Sequence, residues 1–336
     1  MQAMVFKGSG PLFLTEMEIP KPAAAEVLIK VEACGVCRTD LHLVDGDLPK
    51  SKLPVIPGHE IVGRIESIGS TASRESMLKV GQRVGVPWLA STCAHCRFCL
   101  TARENLCDSP EFTGYTKDGG FAQYTLADYR FAFALPDDIG MSAEDFSPML
   151  CAGLIGWRSL RFALPALQLG EGRLGIYGFG AAGHIITQVA LQMGYEVYAF
   201  VRKGDNQAEK FALSLGAAYA GPSDQVAPQL LDSAIIFAPS GDLVPSALKS
   251  LRRGGSLVLG GIHMSDLPSM PYDILWGERT IQSVANLTRP DGDEFIEYLA
   301  GHKVKTSTTV LPLSQANQAL DMLRQGKVSG ALVLRP

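Results

Sequence analysis

Between residues 174 and 193 the chain restricts itself to one kind of architecture. A short apolar run, Leu174–Tyr177, leads into Gly178-Phe-Gly180-Ala-Ala-Gly183, and a helical period runs from Ala181 to Met193 until Gly194 stops it. A glycine pattern alone says little. With a strand before it and a helix after it, the glycines suit a tight turn over which a pyrophosphate can approach the backbone, with the helix N–H groups and positive dipole end facing it. Gly178, Gly180, Ala181, Ala182 and Gly183 are therefore candidate phosphate-binding positions, with plain helix–strand packing as the alternative. The alternation continues downstream. Glu196–Val201, Ala234–Ala238 and Ser256–Leu259 read as buried strands, with helices over Asn206–Leu215 and Pro245–Leu251, and Ile281–Ala285 ends the series. Strands alternating with helices at this spacing predict a parallel, doubly wound sheet.

The first 150 residues have a different texture. They are rich in Gly and Pro, with short β-branched runs (Val27–Ala33, Ile61–Ile68) separated by turn signals at Leu53–Gly58 and Val84–Pro87. That predicts an irregular, mostly β domain with long loops. After the sheet come a helix (Glu294–Ala300), a strand (Thr309–Leu313), an amphipathic helix (Gln315–Arg324) and a strand (Ala331–Leu334), a tail able to rejoin the first domain. A chain of 336 residues has room for two such domains. With 46% apolar and 19% charged residues it is expected to pack well. A net charge of -4 offers nothing to a polyanion, so no nucleic-acid partner is expected. Residues Met1 to Pro11 contain no apolar signal core and no run of about 18 apolar residues occurs, so the expected location is cytoplasmic, off the membrane.

Seven cysteines are an odd number for a disulfide framework, and their placement says more than their count. Cys93, Cys96, Cys99 and Cys107 fall within fifteen residues, at spacings that let one loop wrap a tetrahedral Zn²⁺. Four thiolates leave no open coordination position, so such an ion stabilises a lobe and does no chemistry. Four reduced thiols or a nucleic-acid finger are the competing readings. The second is disfavoured by the single fixed positive charge among Ala94, His95, Arg97 and Phe98.

Three more candidates are dispersed. Cys37 lies in CRTDLH, His59 in PGHE after the Pro57-Gly58 turn, and Cys151 in MLCAG. Taken singly, His59 reads as a loop histidine and Cys151 as a small core residue. Together, however, CRTDLH, GHE, the four-cysteine loop, MLCAG and GFGAAG occur in an order that resembles the zinc-dependent alcohol dehydrogenases of the medium-chain dehydrogenase/reductase superfamily, over essentially the whole chain. The resemblance implies that Cys37, His59 and Cys151 bind a catalytic zinc whose fourth ligand is water or substrate. It implies a GroES-like catalytic domain (1–152 and 287–336, discontinuous) and a Rossmann cofactor-binding domain (153–286). It implies two zincs per chain and a homodimer or homotetramer.

The ligand types suit that chemistry. Two thiolates and an imidazole with one open position form a catalytic zinc site, and a Lewis acid there lets an alcohol ionise to an alkoxide near neutral pH and expel hydride toward a nicotinamide. By resemblance, Thr39 relays the alcohol proton through a cofactor ribose to His42. Their other reading is a helix cap and a surface histidine. Glu60 and Asp40 read as groups behind the ligands, orienting them or closing toward the metal. Trp88 resembles the family's substrate-pocket aromatic, or is core.

Cofactor choice rests on the end of the second strand of the sheet. NAD sites place an acid there, about 20 residues beyond the glycines. Here Val201 stands in that place and Arg202 and Lys203 follow, which favours the 2′-phosphate of NADP over NAD; stacking of Arg202 on adenine is the alternative. Asp205 comes late and suits a helix cap. Ala238 and Gly260–Gly261 end later strands and are candidates for the nicotinamide half. Ala331 occupies the place where many family members carry a pyrophosphate-binding arginine. The expected activity is reversible hydride transfer between primary or secondary alcohols and NAD(P). A polyol or threonine dehydrogenase using the same zinc is the close rival, and a non-catalytic zinc-stabilised binding protein of the same fold the distant one.

Overall fold

The computed structural model describes residues 1–48, 51–137, 139–326, 328 and 330–336. The chain divides into two compact units, Met1–Leu154 with Asn286–Pro336, and Ile155–Ala285.

The first unit opens with an antiparallel hairpin, β1 (Gln2–Val5) and β2 (Phe13–Glu16). There follow β3 (Glu26–Val36), α1 (Arg38–Asp45), β4 (Glu60–Ile68), α2 (Ser70–Glu75), β5 (Arg83–Val86), β6 (Leu89–Ser91), α3 (Arg97–Leu100), β7 (Glu111–Phe112), β8 (Tyr124–Asp128), β9 (Phe133–Ala134) and α4 (Ala143–Phe146). On β3, Val27, Ile29 and Val31 recur at the two-residue period of a strand and enter one core with Ile61 and Ile65 of β4. One sequence expectation fails here. Val84–Pro87 was expected to turn, yet Arg83–Val86 is buried throughout and pairs antiparallel with β4 and β9. Gly85 signals close packing instead: a Cβ there would stand 2.6 Å from Leu150 Cδ2.

Helix α5 (Ala152–Leu169) has no counterpart in the sequence expectations. Gly153, Gly156 and an internal Pro165 weaken its helical signature. The two glycines are sites of close approach, since added Cβ atoms would meet Phe295 at 2.7 Å and Ile186 at 2.2 Å respectively.

The second unit contains β10 (Arg173–Tyr177), α6 (Ala181–Gln192), β11 (Glu196–Val201), α7 (Asn206–Ser214), β12 (Tyr219–Pro222), β13 (Leu231–Ile236), α8 (Leu243–Ser250), β14 (Leu251–Leu259) and β15 (Thr280–Ser283). All neighbours pair in parallel, in the order β12-β11-β10-β13-β14-β15. The direction of winding therefore reverses between β10 and β13, which opens a crevice at the carboxyl ends of these strands. Every residue of β13 is buried, as a strand covered on both faces requires. Polar residues hid its start from sequence reading: the strand begins at Leu231 rather than Ala234 because Asp232 and Ser233 are satisfied inside. Asp232 accepts the Arg173 N–H at 2.8 Å, and Ser233 Oγ donates to the Ser256 carbonyl at 2.8 Å. Tyr177 and Phe200, at the ends of β10 and β11, stack with centroids 4.2 Å apart.

The last segment, α9 (Arg289–Gly301), β16 (Thr308–Pro312), α10 (Ala316–Arg324) and β17 (Ala331–Arg335), belongs to the first unit. There β17 pairs antiparallel with β3 and completes a seven-stranded sheet, β16-β17-β3-β4-β5-β9 with β8 on β3. Among the described residues no helix is long and apolar enough to cross a membrane.

Phe200 is fully buried against Tyr177, whereas Met77 is 92% exposed. Phe200→Ala is expected to cost about 3–5 kcal/mol and lower the urea unfolding midpoint, while Met77→Ala stays within about 0.5 kcal/mol. Equal midpoints for the two variants would contradict this account of the core.

Candidate active site and metal centres

The turn that begins α1 organises the first cluster. Cys37 is the N-cap of that helix, and its Sγ accepts the Thr39 N–H at 3.3 Å. Three residues on, Asp40 Oδ2 accepts the Cys37 N–H at 3.0 Å, so Cys-x-x-Asp forms a reciprocal capping box. The other oxygen, Oδ1, accepts the Gly58 N–H at 3.0 Å and lies 3.4 Å from His59 Nδ1, within ion-pair range though outside hydrogen-bond geometry. One carboxylate thus ties the cysteine loop to the histidine turn. Gly58 adopts φ +95 with Phe121 and Cys34 packed against it, so the turn admits no side chain. The next residue, His59, is fully buried, and its Nε2 sits 3.1 Å from Cys37 Sγ.

Glu60 opens β4 opposite Gly35 on β3. A Cβ on Gly35 would stand 1.8 Å from Glu60 Oε2, so the missing side chain makes room for the carboxyl group. Cys151 joins from the turn before α5. Ligand atoms of Cys37, His59, Glu60 and Cys151 all lie within 4.8 Å of one another, although they come from four separate positions between residues 37 and 151. Two thiols with an imidazole are a donor set that suits Zn²⁺ better than Mg²⁺ or Ca²⁺, and a carboxylate behind the imidazole is the usual way to orient such a ligand.

The cluster's titration shows what it lacks. Burial pushes the Cys37 thiol up, but the bond from Cys151 and the facing His59 outweigh it and hold Cys37 well below the ordinary thiol range. Burial works against the His59 cation, yet Cys37 and Asp40 raise it well above the usual value. Cys151 is driven well up by its bond to Cys37 and by burial, and Glu60 by burial and the same thiolate. Burial also raises Asp40. Several acidic groups therefore crowd a dry volume that disfavours their ionisation, with one imidazole to balance them, an arrangement that a divalent cation would relieve.

Trp88 is 8% exposed and presents its ring at 76° to His59, centroids 4.9 Å apart. Behind it stack Phe112 at 5.0 Å and Tyr115 at 5.6 Å. Sequence reasoning missed both residues, because the antiparallel pairing of β6 with β7 sets Phe112 opposite Leu89, next to Trp88. Thr39, 7% exposed, is the second residue of α1, and His42 lies in its last turn with Nδ1 2.8 Å from Asp47 Oδ2.

The other cluster is local. Cys93, Cys96, Cys99 and Cys107 place four Sγ atoms within 4.8 Å of one another. Backbone N–H groups of Cys93, Cys96 and Ser109 donate to sulfurs of the set at 3.3, 3.4 and 3.4 Å. N–H bonds from Cys99 and Asp108 pull the Cys96 thiol down to about 6, whereas burial and neighbouring thiols push Cys99 up to about 12. All seven cysteines are free thiols.

In the second unit the glycine turn links β10 to α6. Gly178 has φ +92, and a Cβ there would meet Ala238 N at 2.7 Å, which brings the ends of β10 and β13 together. Gly183 packs over the Gly178 carbonyl, 2.6 Å from where its Cβ would be. Gly180 differs: its φ is -92 and no protein atom lies within 4 Å of an added Cβ. The space beside it is open, at the N-terminus of α6, where backbone N–H groups can donate to a phosphate. Arg202 follows β11 on the surface, and its guanidinium makes no ion pair among the described residues, while Lys203 lies 3.7 Å from Asp224. Val201 is buried in the strand, and Asp205 caps α7 by accepting the Ala208 N–H at 3.0 Å. Gly261 follows β14. Ala331 begins β17 and is 5% exposed.

Comparison with known proteins agrees with this geometry. The GroES-like domain of the alcohol dehydrogenases matches residues 23–137. A probable alcohol dehydrogenase, AdhA, of Mycobacterium tuberculosis is 46% identical, over 97% of this chain and 93% of its own. An alcohol dehydrogenase of Geobacillus stearothermophilus is 39% identical over 99% and 98%. Among solved structures, the cobalt- and zinc-bound thermostable alcohol dehydrogenase of Pyrobaculum aerophilum superposes with a TM-score of 0.87 at 26% identity, covering 100% of this chain and 99% of that one. With its metal-ligand clusters, its glycine turn and relatives of this closeness over nearly its full length, the chain belongs to the zinc-type alcohol dehydrogenases of the medium-chain dehydrogenase/reductase superfamily.

Proposed function

We propose that this alcohol dehydrogenase holds a catalytic zinc on Cys37, His59 and Cys151 and a structural zinc on Cys93, Cys96, Cys99 and Cys107. We further propose that it binds a nicotinamide dinucleotide on the 178–183 turn, with NADP preferred over NAD. Residues 1–152 and 287–336 form the catalytic domain and 153–286 the cofactor domain. The observation that carries the reading is the convergence of two thiols and an imidazole, contributed by distant segments, in one buried volume that already contains a carboxylate. A zinc ion held by Cys37, His59 and Cys151 would supply Lewis acidity to an alcohol hydroxyl, and a nicotinamide bound on the 178–183 turn would be the hydride acceptor.

The remaining steps belong to the chain's own groups. Asp40 holds the Cys37 and His59 loops in register and keeps the imidazole oriented with Nε2 toward the cluster. Thr39, beside Cys37 in the first turn of α1, would pass the alcohol proton by way of the cofactor ribose to His42, which would release it to solvent; His42 Nδ1 lies 2.8 Å from Asp47 Oδ2. Glu60, whose carboxyl burial and the Cys37 thiolate push well up, stands behind the ligands, where it orients them or closes toward the metal. The wall formed by Trp88, Phe112 and Tyr115 excludes water and favours the apolar part of an alcohol. In the cofactor domain, Arg202, which makes no ion pair among the described residues, answers a 2′-phosphate, whereas an NAD-selective site places an acid near Val201. Gly178, Ala181, Ala182 and Gly183 line the pyrophosphate turn, and Ala238 and Gly261 border the nicotinamide half. The substrates are primary or secondary alcohols and the corresponding aldehydes or ketones. Free thiols throughout suit a reducing cytoplasm, and a homodimer or homotetramer is the expected assembly, without nucleic-acid or membrane partners.

The test is an initial-rate screen of short, branched and aromatic alcohols with both cofactors, joined to zinc analysis. Turnover confined to polyols or threonine would move the chain to the sister activity, and one zinc without turnover would make it a binding protein. Wild-type protein is expected to hold two zincs per chain. Cys37→Ser should retain one and lose activity by a factor on the order of 100 or more, whereas Cys96→Ser should also retain one but show its main loss in thermal unfolding. Metal counts unchanged in Cys37→Ser would remove that ligand from the scheme. Arg202→Ala should weaken NADP binding about tenfold and leave NAD within a factor of about two, as loss of one charge-assisted contact to the phosphate predicts. Equal losses with the two cofactors would point to adenine stacking instead.

A further inference from the structure

Residue 184 combines two features that seldom occur together in a helix facing a core. His184 is 1% exposed, and its Nε2 has no hydrogen-bond partner among the described residues. A buried acceptor left unpaired works against folding, and a leucine or methionine would fill the same space without that penalty. Ile185 and Ile186, next in the chain, are fully buried, and the Phe211 ring of α7 lies 5.8 Å away.

The other ring nitrogen explains the choice. Nδ1 lies 3.3 Å from the Gly180 carbonyl, which also accepts the His184 backbone N–H at 3.1 Å. A carbonyl only accepts, so Nδ1 must carry the proton, and the neutral tautomer leaves Nε2 bare. Burial keeps the ring neutral down to about 4. Gly180 is the N-cap of α6 and has no side chain to cap the helix. Because a peptide unit is planar, fixing the Gly180 carbonyl also fixes the Ala181 N–H on the opposite side, the first free donor of the helix.

We infer that His184 is a positioning residue for the dinucleotide turn. From inside the second unit it holds the Gly180–Ala181 peptide plane that the open space above Gly180 leaves for a pyrophosphate. The inference rests on the reading of residues 178–183 as the dinucleotide site. The imidazole is buried, not part of the surface a ligand would touch. It adds a second bond to a carbonyl that already accepts the His184 backbone N–H within the helix, on the buried side of a peptide whose other side a ligand would use.

Fluorescence titration with NADPH tests this on the full-length zinc-loaded protein, alongside urea unfolding without nucleotide. His184→Leu is expected to raise the NADPH Kd about fivefold to tenfold, the range of one hydrogen bond, with the ligand-free unfolding midpoint unchanged or higher and kcat at saturating cofactor within twofold. His184→Asn, whose amide can donate to the same carbonyl, should restore most of the affinity. In ¹⁵N-histidine spectra of the wild type, residue 184 should be the neutral Nδ1–H form at pH 7, a readout that needs no variant. An Nε2–H tautomer, wild-type affinity in the leucine variant, or a fall in its unfolding midpoint that matches the loss of affinity would each overturn the inference. Wild-type protein that binds neither NADPH nor NADH would overturn the dinucleotide reading itself, and this inference with it.

Discussion

The buried carboxylate of Asp40 is the interaction on which the first cluster depends. It closes a capping box on Cys37, accepts the N–H of Gly58 and stands behind the His59 ring. Each contact belongs to a different part of the backbone: a helix start, a tight turn and a strand entrance. A carboxylate buried at 2% exposure is costly, and burial raises its pKa accordingly. The cost is offset by two backbone N–H donors and by the imidazole that faces it at 3.4 Å. Without that anchor, a thiol on a helix N-terminus and an imidazole on a loop have no reason to face one another. With it, the Cys37 thiolate gains the positive end of α1 and the neighbouring imidazole at once.

Glycines in this chain do three different jobs, and separating them clarifies the architecture. Gly58 and Gly178 occupy left-handed backbone that a side chain would strain. Gly35, Gly85 and Gly183 have ordinary backbone but stand where a neighbour needs the space: a carboxyl group, a leucine and a carbonyl. Gly180 belongs to neither class, since its surroundings are empty and its φ is ordinary. Of the three glycines of the turn, it is the one that leaves open space rather than close contact. The same distinction explains why Gly85 misled a turn-based reading: in sequence a glycine kept for packing looks like a glycine kept for conformation.

The two clusters of metal-ligating residues differ in how they are assembled. The four cysteines lie on one short loop whose own backbone N–H groups point at the sulfurs, so the cluster is nearly self-contained. The cluster around Cys37 has no such local origin. It needs the cap of α1, the start of β4 and the turn before α5 to be brought together by the sheet that β3, β4 and β5 build, with β17 closing its far side. A loop of fifteen residues can be read as a ligand set from spacing alone. Residues 37, 59 and 151 could be joined in sequence only by their resemblance to a known family.

Patterns of short range were legible without coordinates: the alternation of apolar strands with helices, the strand–glycine–helix turn, the cysteine spacing and the helix-capping role open to Asp205. Each depends on residues within a few positions of one another, where period and turn chemistry act directly. Tertiary structure decided what sequence proximity does not encode. It set α5 through glycines that look like helix breakers, started β13 at a satisfied Asp232, and stacked Phe112 and Tyr115 behind Trp88. It also oriented one histidine toward a carbonyl and another toward a thiol. The physical reason is the same in every case: the free energy of a buried polar group, a missing Cβ or an aromatic face is fixed by its partners across the fold, and those partners are absent from the local string of residues.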